Sequence, residues 1–148
     1  MKVRIKKTHP NASLPAYATD GAMAFDLKAA AVNGSDVFGA RVDRKTVVDI
    51  GLAFEIPKGM GMLVFSRSGH GFKNAVRLAN CVGLIDSDYR GSVQVALQPD
   101  SENTGLFVSP GDRIAQALIL PIPEIEFELV AELSETDRGA RGFGSTGA

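Results

Sequence analysis

The sequence predicts an all-β sandwich or barrel with one short helix. Short β-branched and apolar runs recur along the chain, one of them alternating strictly between apolar and polar residues. Turn formers punctuate these runs, with 16 Gly and 7 Pro among 148 residues. Long helices are hard to find, and no repeat period or internal linker divides the chain.

The first clear strand is Val47 to Glu55, "VVDIGLAFE", which is largely β-branched and apolar. "IPKGMG" supplies a turn through Pro57 and Gly59, and "MLVF", Met62 to Phe65, resumes the strand. The single helix is expected to start at Ser68 within "SRSGHGFKNAV", with Ser68 as its cap and a length of about two turns. "CVGLIDSDYRGSVQVAL", residues 81–97, reads as a β-hairpin whose second arm is Ser92 to Leu97. "GLFVSPGDRIAQALIL" contains a short strand, a Pro110-Gly111 turn and a strand from Arg113 to Leu120. In "EIEFELVAEL" the side chains of Glu124, Glu126 and Glu128 share one face, and Ile125, Phe127 and Leu129 the other. A solvated outer face is the reading of those carboxylates.

The totals bound the chemistry. A length of 148 residues with 45% hydrophobic content suits one globular domain with a sizeable core. No apolar run approaches the ~20 residues that cross a bilayer. The basic start "MKVRIKKTHP" has no apolar stretch behind it and is not read as a secretory signal. One cysteine, Cys81, excludes an internal disulfide framework, suits a reducing compartment, and is expected to be a small buried thiol. His9 and His70 lie far apart in sequence, so no zinc-binding spacing exists. A net charge of −1 gives no overall basic field for nucleic acid. An anionic ligand therefore needs a local group of cations or an accompanying metal.

Five polar clusters interrupt the β pattern: "YATDGAMAFDLKA" (17–29), "SRSG" (66–69), "NCVGLIDSDYRG" (80–91), "GDRIAQ" (111–116) and "RGARGFGSTG" (138–147). Each has a plain alternative, such as a helix cap for "SRSG", an edge strand for "DLKA" and a turn for "GDRIAQ". The hairpin turn is harder to explain that way. It packs Asp86, Asp88, Tyr89 and Arg90 into five residues, and a turn does not need an aromatic ring between acid and base. From Asp137 the chain is rich in Gly, with Phe143 as its one large apolar side chain. By composition this tail is equally a frayed end and an anion grip, in which Arg138, Arg141, Ser145 and Thr146 sit among flexible glycines.

In this order and spacing the clusters resemble the five motifs of the trimeric dUTPase family, from about Pro15 to Gly147. The third and fifth clusters carry most of the specificity. The resemblance implies a distorted jelly-roll-like β fold assembled as a homotrimer. It implies a β domain over 1–136 and a flexible Gly-rich arm over 137–148 that closes a neighbour's active site. The implied activity is Mg²⁺-assisted hydrolysis of dUTP to dUMP and pyrophosphate by water attack on the α-phosphate. That activity limits uracil in DNA and supplies dUMP for thymidylate synthesis. No direct nucleic-acid or membrane partner is implied, and a cytoplasmic or, depending on source, nuclear setting is expected.

Residue by residue, Asp86 matches the acid that orients and activates the attacking water, and Arg138 a finger supplied in trans. Asn80, with Gly83 and Ile85 of the hairpin, matches the uracil site, which is built largely from backbone groups. Tyr89 matches the ring that lies flat on the deoxyribose and leaves no room for a 2′-hydroxyl. Arg67, Ser68, Gly69 and Gln116 match phosphate contacts, aided by free N–H groups if Ser68 opens a helix. Phe143 matches the aromatic that stacks on the base, and Gly144, Ser145 and Thr146 complete the arm's contacts. Asp26 matches an acid that holds a magnesium-bound water rather than the metal itself. Asp88 reads as a solvated turn acid, and Arg90 as half of a structural ion pair.

Departures from the pattern are Ser66 where Pro is usual, Ala22-Met23-Ala24 where Ser-Ala-Gly is usual, Arg141 in place of a small residue, and His70 and Phe72 in the short helix. Losing Gly at position 24 bars a special backbone angle, so a different local path is expected there. Rival readings are a dCTP deaminase, which shares the fold but not the "DSDYRG" hairpin, a dUTPase-like regulatory partner, and a plain structural sandwich.

Overall fold

A computed structural model of the chain describes residues 1–34 and 39–142. Its strands pair antiparallel throughout, in two main sheets and two ribbons. One sheet runs β10 (Val82–Ile85), β8 (Met60–Ser66), β13 (Arg113–Pro121), β3 (Phe25–Lys28), β2 (Ala16–Tyr17). The other runs β4 (Ala31–Val32), β6 (Thr46–Asp49), β11 (Gln94–Pro99), β9 (Val76–Leu78). The ribbons join β1 (Arg4–Lys7) to β7 (Leu52–Glu55), and β12 (Leu106–Val108) to β5 (Ala40–Val42). One buried cluster draws on all four, including Leu27, Val48, Phe54, Met62, Leu78, Leu97, Val108 and Ile114. Each such side chain contributes about 1.5–3 kcal/mol by leaving water. The fold is the expected distorted jelly-roll-like sandwich with a short helix.

The strand register fixes which residues share a face. Asp26, Gln116, Phe65 and Val82 stand opposite one another in one row across the five-stranded sheet. Phe25, Ala117, Val64 and Gly83 form the next row. Side chains alternate along a strand, so the two rows point to opposite faces. Phe25, Ala117 and Val64 are buried, which makes theirs the core face, and Asp26, Gln116 and Phe65 look outward.

Several sequence expectations are corrected. Val47–Glu55 is not one strand: β6 and β7 belong to different sheets and the chain bends between them. Gly51 makes the bend, with φ +68 and no space for a side chain: an added Cβ would lie 2.7 Å from His9 Cβ and 2.8 Å from Ala30 Cβ. Its N–H donates to Asp49 Oδ1 at 2.6 Å. The arms of the 81–97 hairpin likewise do not pair with each other. β10 bonds β8, whereas β11 bonds β6 and β9, so the arms diverge. Strands β1 to β5 escaped the sequence reading, apart from the edge alternative for "DLKA", because runs of two to four residues are too short to display a period.

The segment "EIEFELVAEL" enters no sheet, and Phe127 and Leu129 are 92% and 100% exposed. Alternation prepares a strand, but a strand forms only by pairing with another, and this segment pairs with none of the described strands. Helix α1 spans Ser68–Asn74; its cap is Arg67, not Ser68, and no side chain bonds the free N–H groups. Ala75 ends it in the left-handed conformation, φ 50. Cys81 is exposed rather than buried and occupies a left-handed position, φ 61. Among the described residues no helix is long and apolar enough to cross a membrane.

Candidate active site

The diverging arms open a cleft. Asn80, Gly83, Leu84 and Ile85 line one side of a pocket of about 330 Å³, and Gln94, Val95 and Ala96 of β11 line the other. β10 is an edge strand, so its backbone groups on the side away from β8 are not used by the sheet. Gly83 faces the core beside Val64, where an added Cβ would come within 3.2 Å of Val64 Cβ. The cleft continues through Leu84, Ile85 and Gln94 into a second pocket of about 200 Å³ that is lined by Asp86 and Tyr89.

The turn after β10 holds these two side chains. The Tyr89 N–H donates to the Asp86 carbonyl at 3.2 Å, and the Tyr89 hydroxyl donates to the Ser92 carbonyl at 3.0 Å. Among the described residues Arg90 makes no ion pair. Its Nη1 donates to the carbonyls of Ser87 at 2.7 Å and Tyr89 at 3.0 Å, and so ties the turn together. Asp86 also borders a wider pocket of about 800 Å³ with Lys58, Asp88, Arg90 and Glu124.

A separate pocket of about 550 Å³ lies on the outward face of the five-stranded sheet. Asp26, Arg67, Ser68, Gly69 and Gln116 line it, as does Arg113. Asp26, whose side chain is only 14% exposed, is held between two cations: Arg67 Nε lies 3.5 Å from Oδ1, and Arg113 Nη1 3.1 Å from Oδ2. Arg67 Nη1 donates to the Arg113 carbonyl at 2.9 Å, and His70 Nε2 lies 2.7 Å from the same oxygen. Gln116 Nε2 donates to the Ser66 carbonyl at 3.1 Å. Two guanidinium groups against one carboxylate leave net positive charge, which suits an anion. Arg113 was missed as a site residue, although its place in "GDRIAQ", three residues before Gln116, was a visible signal.

The departures from the motif pattern have local accounts. The Ser66 hydroxyl accepts the Leu78 N–H at 2.9 Å and so links β8 to β9, which Pro could not do. The special angle expected to be lost at position 24 is not used, because the non-Gly residues with positive φ among those described are Asn33, Ala75 and Cys81. His70 supports the backbone beside Arg67. Arg141 Nε donates to the Arg138 carbonyl at 2.9 Å, and its Nη2 bonds the Asp137 carbonyl. Arg138 in turn donates to the carbonyls of Arg141 and Gly142, each at 3.3 Å. These bonds stay within the tail, and Arg138 lines neither pocket in this chain. Phe143, Gly144, Ser145 and Thr146 lie outside the described residues.

Fold and site together define an all-β sandwich with an arginine-lined pocket on one sheet face and a cleft at the edge strand β10. The family model for dUTPase matches residues 10–147. A deoxyuridine 5′-triphosphate nucleotidohydrolase of Nautilia profundicola is 44% identical over 147 residues, 99% of each chain. That of Helicobacter hepaticus is also 44% identical, over 99% of this chain and 89% of its own length. The structure of the Staphylococcus bacteriophage 80alpha dUTPase with dUPNHPP superposes with a TM-score of 0.84 at 25% identity, covering 99% of both chains. The chain belongs to the dUTPase family.

Proposed function

We propose that the chain hydrolyses dUTP to dUMP and pyrophosphate, keeps uracil out of DNA and supplies dUMP for thymidylate synthesis. The observation that carries the assignment is the cleft itself: Asn80, Gly83 and Ile85 line a pocket that opens directly onto Asp86 and Tyr89. Uracil would enter between β10 and β11 and pair with the unused backbone groups of the edge strand and the Asn80 side chain. Tyr89 would then lie against the deoxyribose. Asp86 is the base: a carboxylate is too weak a base to deprotonate water in advance. It positions the water and takes its proton as the bond to the α-phosphorus forms. Arg67, Ser68, Gly69 and Gln116 bind the phosphates and stabilise charge moving onto the pyrophosphate.

The two pockets favour a site shared between chains. Val64 lines the cleft on the core face, and its neighbour Phe65 lines the anion pocket on the outer face, so the sheet lies between them. To use both pockets of one chain, a nucleotide would have to pass round the edge strand β10. A homotrimer supplies the cleft from one copy and the anion pocket from another, and it covers the exposed Ile125, Phe127 and Leu129. The arm from residue 137, beyond a β domain over 1–136, would bring Arg138 to a neighbour's phosphates, with Phe143 over the base and Gly144, Ser145 and Thr146 along the phosphate chain.

Enzymes of this family are generally magnesium-dependent. Among the described residues no group of three His, Cys, Asp or Glu could cage a metal. Among the described residues Asp26 is the one carboxylate lining that pocket, and arginines already face both its oxygens. That donor set fits a hydrated Mg²⁺ carried by the phosphates, with Asp26 accepting from one of its waters. When bound, the ion neutralises phosphate charge. We assign the enzyme to the cytoplasm, where a lone exposed thiol stays reduced.

Pyrophosphate release measured across dUTP, dTTP, dCTP and UTP with magnesium tests the assignment. Turnover is expected for dUTP far above the other three. Ammonia from dCTP, or equal turnover of all four, would overturn it.

A further inference from the structure

Tyr89 is 43% exposed and stands on a short turn, yet its proposed task demands a ring at a fixed height. Two contacts hold it from below. Its hydroxyl donates to the Ser92 carbonyl at 3.0 Å. The ring also lies directly over Gly91, where an added Cβ would come within 2.4 Å of the hydroxyl oxygen and 2.6 Å of Cζ.

Ser92 is itself clamped to the body of the protein. Its Oγ lies 2.6 Å from Asp49 Oδ1 and 2.8 Å from Thr8 Oγ1. A serine hydroxyl has one proton, and an ionised carboxylate can only accept. Ser92 therefore donates to Asp49, and Thr8 donates to Ser92. Asp49 Oδ1 is held in turn by the Gly51 N–H at 2.6 Å. The next residue, Val93, is buried and anchored at both backbone groups: its N–H donates to the Leu52 carbonyl at 2.9 Å, and its carbonyl accepts from the Ile50 N–H at 3.1 Å. The bend that separates β6 from β7 thus carries an acid whose charge-assisted bond fixes the residue on which the ring rests.

We propose that Asp49 and Ser92 are positioning residues for sugar selection: through the Ser92 carbonyl they set the height of the Tyr89 ring, and so exclude nucleotides that carry a 2′-hydroxyl. The inference rests on the reading of Tyr89 as the sugar-facing ring. Loss of the clamp lets the ring sink or swing, which opens space at C2′ and leaves Asp86 and the anion pocket intact. A merely structural role for Asp49 and Ser92 would reduce dUTP and UTP turnover in proportion.

The test compares kcat/KM for dUTP and UTP in the full-length enzyme and in Ser92→Ala, Asp49→Asn, Ser92→Thr and Tyr89→Ala. Where UTP turnover is too slow to follow, the inhibition constant of UTP against dUTP replaces it. Ser92→Ala and Asp49→Asn are expected to keep dUTP turnover within about threefold and to lower the dUTP preference by about tenfold, the scale of a lost steric or single-group discrimination. Ser92→Thr, which keeps the hydroxyl, is expected to keep the preference. An unchanged preference in Ser92→Ala and Asp49→Asn, or a proportional loss for both substrates, overturns the inference while a collapsed preference in Tyr89→Ala leaves the role of Tyr89 standing. An unchanged preference in Tyr89→Ala overturns both.

Discussion

Asp86 sits at the mouth of the cleft beside β10, one residue beyond that strand's last residue, and this position sets what its carboxylate can do. It is exposed and borders a wide pocket, so a water molecule and a phosphate group both have access to it. Asp86→Asn keeps the shape and the turn carbonyl that accepts from Tyr89, and removes only the proton acceptor. Its kcat is expected to fall by about 10²–10⁴, the usual contribution of a positioned general base. Binding of a non-hydrolysable dUTP analogue, measured by calorimetry, is expected to change little, because the base and phosphate contacts remain. Turnover equal to that of the parent would remove Asp86 from the mechanism.

At the scale of elements, the bend at Gly51 does two jobs at once. It sends β6 and β7 into different sheets, and it offers the N–H that holds Asp49. Gly51→Ala forces a side chain into a left-handed position, at about 1–2 kcal/mol. The same change crowds His9 and Ala30, which adds about 1–3 kcal/mol of overpacking. Urea unfolding is expected to show a loss of about 2–5 kcal/mol in total. A loss under 1 kcal/mol would mean that the bend does not depend on glycine. The diverging arms of 81–97 show the same economy. Had β10 paired with β11, the edge groups and the cleft between them would both be gone.

Across the whole molecule, the division of the pockets between two sheet faces makes a strong demand on assembly. Light scattering is expected to report a trimer. In the proposed shared site, Asp86→Asn and Arg67→Ala would carry their lesions on different sides, so mixed trimers of the two would contain some sites with neither lesion. Co-refolding the two variants is therefore expected to restore a sizeable fraction of parental turnover, whereas a site confined to one chain would restore none. Truncation before Arg138 is expected to leave trimers intact and to lower kcat by about 10³–10⁵, as when a trans arginine is withdrawn from phosphoryl transfer. Unchanged turnover in the truncated enzyme would show that the arm takes no part in the chemistry.

Much of this was legible in the residues, for local reasons. The turn at Pro57 and Gly59, the strand from Arg113 and the short helix near Ser68 depend on neighbours in sequence, and each stands where it was expected. The five polar clusters identified the dUTPase family, because chemistry is carried by residue type and spacing. Composition could not say where the strand pattern would find partners. Val47–Glu55 looked continuous because a largely apolar, β-branched run extends through the bend, and only packing against His9, Ala12 and Ala30 reveals why Gly51 interrupts it. "EIEFELVAEL" has the pattern of a strand but pairs with none of the described strands. Arg113 stood in plain view, yet its pairing with Asp26 spans 87 residues of sequence. The sequence by itself therefore determined the all-β class, the turns and the chemical inventory, since these follow from contacts between near neighbours. Only the tertiary structure decided which sheet each arm joins, which face each side chain takes and what supports Tyr89, because register and long-range pairing are properties of the packed chain.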